Sequence, residues 1–223
     1  MARGRFLRLF IGNMASGKTR HLLTEIDTLR RYGNKKIAVF KPHTDTRSGM
    51  STIKSRKGEE DAAEEISATR PGELWEILRA RESEAGCRFE IVAFDEVQFF
   101  SRDSGFFQLV RNLMNEGYDI LASGLAFDFR GEPFGSTPDL ALLAEDRCMW
   151  MTSYCTRCGG RALYPQRIIN GQPAHYNSPQ ILVGGDETYE PRCDDHFILP
   201  GRALPGWEDS APQRRIWPAQ ENS

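Results

Sequence analysis

Gly12-Asn13-Met14-Ala15-Ser16-Gly17-Lys18-Thr19 (GNMASGKT) is a complete G-x-x-x-x-G-K-[ST] sequence. It follows a short apolar run, positions 5–11 (RFLRLFI), and opens a helix-like segment from Lys18 to Arg31. Strand, glycine turn and helix in that order are the setting the motif requires. Backbone N–H groups of such a turn, and of the helix start behind it, face an anion. Lys18 then supplies a point charge to β- and γ-phosphates, and the Thr19 hydroxyl is a magnesium ligand. A chance glycine turn with an exposed lysine would lack the flanking strand and helix. The stretch marks a nucleotide-phosphate site.

Outward from this loop, strand-like and helix-like segments alternate. Positions 35–40 (KKIAVF), 89–94 (FEIVAF) and 119–123 (DILAS) read as strands. Positions 71–85, with Leu74, Ile77 and Leu78 on one side, and 106–115 read as helices. Alternation of this kind predicts an α/β domain with a parallel sheet and right-handed crossovers. We expect a P-loop NTPase-like domain over residues 1–151. Positions 43–60 are polar and Gly/Ser-containing and read as a mobile loop.

After Met151 the character changes. Cys155-x-x-Cys158 and Cys193-x-x-His196 each have zinc-knuckle spacing, and Cys3His is a tetrahedral structural set with no open position. The 34 residues between the two pairs make this a clamp on the ends of a long loop rather than a compact ribbon. Redox chemistry at Cys155 and Cys158 is the rival, but it leaves Cys193 and His196 unexplained. Residues 152–197 are too few to build an apolar core, so a metal would organise them as a small second domain. From 198 to 223 the chain carries Pro200, Pro205, Pro212 and Pro218 without periodicity and reads as a disordered tail.

Composition narrows the function classes. The 223 residues are 39% hydrophobic and 27% charged, which is globular, and no apolar run approaches the roughly 20 residues of a membrane span. Residues 1–11 are basic then apolar but are broken by Arg8 and lead into the glycine loop, so they read as a first strand rather than a leader. A soluble cytoplasmic protein is expected. The net charge of −2 conceals fourteen Lys/Arg against five Asp/Glu in residues 1–60, and four against ten in residues 61–100. The total disfavours a nucleic-acid motor, and the basic N-terminal part suits a small polyanion. Five cysteines without a leader argue against a disulfide framework, and Cys87 and Cys148 are expected to be buried thiols.

Asp95 and Glu96 close the third strand, where one acid can serve the metal and its neighbour can act as general base. Adjacent strand residues point oppositely, so the spacing leaves open which does which. The segment GLAFDFRGEPFG, Gly124–Gly135, follows the fourth strand, outside the sheet end where ligands of open α/β sheets bind. Phe127, Phe129 or Phe134 can stack on a base there, or all three can be core. Arg130 can neutralise phosphate.

Taken in order, GNMASGKT, KPHTDTR, FDEVQFF, GLAFDFRGEPFG, CTRCGG and ILVGGDETYEPRCDDHF resemble the thymidine kinases of the cytosolic animal and bacterial type, over about residues 6–197. The resemblance implies transfer of the ATP γ-phosphate to the 5′-hydroxyl of thymidine, with deoxyuridine as a second acceptor. Gly12 through Thr19, Arg47, Asp95 and Gln98 would lie on the ATP and phosphate side, with Mg²⁺. Glu96 would be the base. Met14, Leu125 and Phe129 would line the thymine pocket, and a lasso loop over roughly 164–190 would close on the nucleoside. Its backbone at Gln180, Ile181, Leu182, Val183 and Gly184 would read the base edge beside Tyr189. Cys155, Cys158, Cys193 and His196 would hold structural Zn²⁺ at the base of this small lasso domain. A homotetramer and feedback inhibition by dTTP are further implications. Position 126 is alanine where many relatives carry aspartate, while Asp128 and Phe129 remain.

Overall fold

The computed structural model describes residues 5–43, 52–181 and 188–202. The first half of the chain runs β1 (Leu7–Gly12), α1 (Lys18–Arg31), β2 (Ile37–Pro42), β3 (Thr52–Lys54), β4 (Glu60–Ala62), β5 (Glu64–Ile66) and α2 (Leu74–Ala85). It continues through β6 (Ile91–Phe94), α3 (Phe106–Asn115), β7 (Asp119–Leu125), α4 (Thr137–Ala144) and β8 (Cys148–Met151). The remaining strands are β9 (Ser153–Tyr154), β10 (Arg161–Ala162), β11 (Tyr164–Ile169), β12 (Gln172–Pro173) and β13 (Thr188–Arg192).

Six strands form one sheet in the order β5-β2-β6-β7-β1-β8. Every pairing in it is parallel, with Leu7 opposite Ile120 and Ile37 opposite Ile91. Parallel sheets need cover on both faces, which is why β2 and β6 are buried along their whole length. Leu7, Leu9 and Ile11 pack into one apolar cluster with α2, α3 and Leu140 of α4, while Phe10 turns to Leu22 and Ile26 of α1. Alternate residues of β1 therefore feed two cores.

Several elements differ from the sequence reading. The expected loop over 43–60 contains an antiparallel hairpin, β3 with β4, and is followed by the edge strand β5. Their short, charged stretches carry no alternating apolar pattern, because the hairpin covers α1 rather than extending the sheet. α4 and β8 are likewise absent from the reading. β8 pairs with β1 through Leu9↔Cys148 and Gly12↔Met151, completing the sheet. Cys87 and Cys148 are half-buried, not fully buried as expected, since each sits near an element end or the sheet edge. No helix among the described residues is long and apolar enough to cross a membrane.

Beyond Met151, β11 pairs antiparallel with β12 and β13, and β9 with β10. The chain stays packed past residue 197: Ile198 N–H donates to Gln166 Oε1 at 2.8 Å and Tyr176 N–H to the Pro200 carbonyl at 2.8 Å. The expected tail therefore does not begin at 198, and residues 203–223 lie outside the described residues.

Candidate active site

The glycine loop leaves β1 with Ala15 at φ 58° and Gly17 at φ 89°, two left-handed residues of the kind that build anion-binding backbone concavities. Gly12 has a different reason to be glycine. A Cβ there would lie 2.5 Å from the Met151 carbonyl oxygen, so only a bare Cα lets β8 close on the loop. Asn13 is buried; its side-chain oxygen accepts from the Met14 N–H at 2.7 Å, and its Nδ2 donates to the Tyr164 carbonyl at 2.9 Å. One side chain thus ties the phosphate loop to β11.

Lys18 opens α1 with 7% of its surface exposed, and its Nζ donates to the Asn13 carbonyl at 3.1 Å. Burial pushes its ammonium below the ordinary lysine range, the carboxylates of Glu96 and Asp95 oppose this, and the charge of Arg56 adds to the lowering. Arg56 stands on the β3–β4 turn, so that hairpin brings a cation towards the loop. Sequence reasoning missed it because the charge is meaningful only once the hairpin folds over α1, where Arg20 also pairs with Glu59 at 3.1 Å.

Asp95 follows β6 directly and is buried. It accepts hydrogen bonds from the Thr19 hydroxyl at 3.1 Å, the Glu96 N–H at 3.0 Å and the Ser123 hydroxyl. Desolvation, then the Glu96 charge, raise its carboxyl to about 6, against Ser123, Lys18 and Thr19. Asp95 and the Thr19 hydroxyl supply adjacent hard oxygen donors, the set Mg²⁺ prefers. Ser123 was missed because nothing in DILAS separates a functional serine from a buried one.

Glu96 lies beyond the strand in left-handed conformation, φ 56° and ψ 41°. The expectation that the two acids alternate along a strand is therefore replaced by a turn that swings Glu96 away from Asp95. Gln98, 1% exposed, donates from Nε2 to the Glu96 carboxylate and accepts the Leu125 N–H at Oε1, 2.9 Å. Both ends of Gln98 are committed to the acid and to β7.

In Gly124–Gly135, Phe134 meets Phe99 edge-on and Phe127 tilts against Tyr164. Phe129 is 2% exposed, with the Arg167 guanidinium 3.9 Å from its ring centroid. None of the three is a bare stacking platform. Arg130 donates to the carbonyls of Tyr176 at 2.9 Å and Ser178 at 2.7 Å, so it holds the following loop rather than standing free for phosphate. Asp128, also buried, accepts the Arg130 and Glu132 N–H groups and Gln180 Nε2 at 2.9 Å. Ala126 sits in the apolar cluster with its N–H on the Gly12 carbonyl at 3.3 Å; a carboxylate would be buried there. Met14 and Leu125 are half-buried, and Gln180 and Ile181 exposed. Tyr189 accepts from Arg167 Nε at 2.6 Å. Arg47, Leu182, Val183 and Gly184 lie outside the described residues.

The ligand atoms of Cys155, Cys158, Cys193 and His196 all lie within 4.8 Å of one another. Tetrahedral zinc, with bonds of about 2.3 Å to sulfur and about 2.0 Å to nitrogen, would set sulfurs about 3.8 Å apart and sulfur about 3.5 Å from nitrogen. The observed edges are 3.7 Å for Cys158–Cys193, 3.8 Å for Cys155–His196 and 3.2 Å for Cys193–His196. The set fits zinc. Burial alone would raise the Cys155 thiol, yet surrounding N–H groups and the Cys193 thiol hold it down at about 6, the thiolate character a metal needs.

A parallel sheet with a glycine loop, a buried lysine at a helix start and two acids after the strand one removed from β1 is the arrangement of an α/β nucleotide-kinase-like domain. The family model for thymidine kinase matches residues 5–197, and the chain belongs to that family. The thymidine kinase of Thermococcus kodakarensis is 36% identical over 88% of this chain and 96% of its own length. Those of Mycoplasmoides gallisepticum and Pyrobaculum aerophilum are 35% and 38% identical over 89% and 87% of this chain, and 84% and 99% of their own lengths.

Proposed function

We propose that the protein transfers the γ-phosphoryl group of ATP to the 5′-hydroxyl of thymidine, giving dTMP and ADP in DNA-precursor salvage, with deoxyuridine as a second acceptor. The observation that carries the reading is the set Lys18, Thr19, Asp95 and Glu96 beyond the C-terminal ends of β1 and β6, in a chain of this family.

Phosphoryl transfer asks for positioning and charge neutralisation more than covalent chemistry. The turned backbone of Gly12–Gly17 and the start of α1 hold phosphate oxygens, and Lys18 neutralises charge on the leaving and transferring groups. Mg²⁺, held by Thr19 and Asp95, supplies further charge neutralisation when bound. Glu96 accepts the 5′-hydroxyl proton, held in place by Gln98. Arg47 approaches the phosphates. Met14, Leu125, Phe129 and Tyr189 surround the base, and the backbone over 180–184 reads its edge and excludes water.

The same reading makes residues 1–151 a P-loop NTPase-like ATP-binding domain and 152–197 a lasso domain organised by structural Zn²⁺. It also makes the protein a cytoplasmic homotetramer inhibited by dTTP. The test is ATP-dependent phosphorylation of the common deoxynucleosides one at a time. Thymidine is expected to be the best acceptor. Preference for another nucleoside, or ATP turnover driven by DNA and indifferent to thymidine, would overturn the proposal.

A further inference from the structure

Arg167 on β11 heads the largest fully buried side chains, 2% exposed, and no described carboxylate forms an ion pair with it. A buried guanidinium is costly unless its donors are satisfied, and here they go to backbone and ring. Nη1 donates to the Pro179 carbonyl at 2.6 Å, Nη2 to the Gln180 carbonyl at 2.5 Å, and Nε to the Tyr189 hydroxyl. Its Cζ lies 3.9 Å from the Phe129 ring centroid and 5.2 Å from that of Tyr189.

We infer that Arg167 is a positioning residue for nucleoside specificity, fixing the base-reading backbone against Phe129 and Tyr189. The inference rests on the nucleoside pocket proposed above and deepens it. Residues 179 and 180 are exposed and have no strand to hold them, so their carbonyls would rotate freely without a forked donor. Two charge-assisted bonds from one rigid plane fix two successive peptide units at once, which an ammonium cannot do. Arg130 grips the same segment earlier, at residues 176 and 178, and Gln180 is anchored to Asp128. The chain entering the expected base-reading stretch is thus set from both sides, and the central clamp is Arg167. Its effect falls on the nucleoside and leaves ATP untouched, because none of its contacts reaches the glycine loop.

The experiment is steady-state kinetics on the full, zinc-loaded protein and its Arg167→Met, Arg167→Lys and Phe129→Leu variants. Zinc content and melting temperature are recorded for each. Arg167→Met is expected to raise the KM for thymidine at least tenfold, about 1.4 kcal/mol, with the KM for ATP within twofold. Arg167→Lys, which keeps charge and stem, is expected to raise it severalfold, and it carries the test should Arg167→Met fail to fold. A folded Arg167 variant whose thymidine KM stays within twofold of the parent, or whose two KM values rise together, would overturn the inference. Phe129→Leu separates the two readings. If it leaves thymidine KM unchanged, the pocket itself is misplaced; if it raises KM while both Arg167 variants do not, only the inference about Arg167 falls.

Discussion

Asp95→Asn is expected to abolish phosphoryl transfer and, at neutral pH, to stabilise the ligand-free protein. Desolvation and the neighbouring Glu96 charge raise the Asp95 carboxyl from its ordinary 3.8 to about 6. Between those values the native state binds the proton and the unfolded chain releases it. Stability therefore falls as pH rises through that window and levels off above it. Each tenfold difference in proton affinity between the folded and unfolded states is worth about 1.36 kcal/mol. The carboxylate thus costs the ligand-free fold roughly 3 kcal/mol at pH 7.5 and about half as much at pH 5. Asparagine lacks the charge, still accepts from Ser123 and Thr19, and removes one of two carboxylates facing Lys18, an offset that is constant over this range. The pH trend is consequently the cleaner measurement. The advantage of asparagine should grow by roughly 1 kcal/mol between pH 5 and pH 7.5, or about 2–4 °C in melting temperature for a chain of this size. Thermal unfolding of zinc-loaded, nucleotide-free parent and variant at pH 5, 6, 7 and 8 reads it. A melting difference that is flat with pH, or that shrinks as pH rises, would refute the account of Asp95.

Three further outcomes are expected. Glu96→Gln should lower kcat by about 10²- to 10⁴-fold, the usual worth of a general base, with ATP affinity by calorimetry near the parent's; an unchanged kcat would remove Glu96 from that role. Gln98→Leu should lower kcat about tenfold and destabilise the fold by about 1–3 kcal/mol, because the Leu125 N–H is left unpaired. A rise in ATP KM instead would return Gln98 to the phosphates. Cys193→Ser should drop bound zinc from about one per chain to a small fraction by metal analysis and raise thymidine KM, since β13 leads directly into that ligand. Full zinc retention would exclude Cys193 from the set.

The parts legible in the sequence are those whose chemistry is local. Glycine loop, buried strands and the helices 18–31 and 106–115 announce themselves through spacing and apolar content, and the two Cys/His pairs through ligand spacing. β3, β4 and β8 were not legible, because short edge elements draw their order from neighbours: β8 exists where Gly12 lets Met151 approach. The same holds in the site. Lys18 and Asp95 could be named, but the left-handed turn at Glu96 and the use of Gln98 as a brace require the folded backbone. Arg130 reads as a partner for phosphate and Arg167 carries no signal of its own, although each ends on main-chain carbonyls of one loop.

The conformation of Glu96 bears on how this protein would respond to selection in the laboratory. A non-glycine residue at φ 56° stores about 1–2 kcal/mol of backbone strain, which glycine or asparagine relieves. A library screened only for heat resistance would therefore enrich Glu96→Gly and Glu96→Asn, discarding the residue proposed to take the proton. Any route to a hardier variant must hold position 96 under selection for turnover, and look for its gains on surfaces remote from this turn.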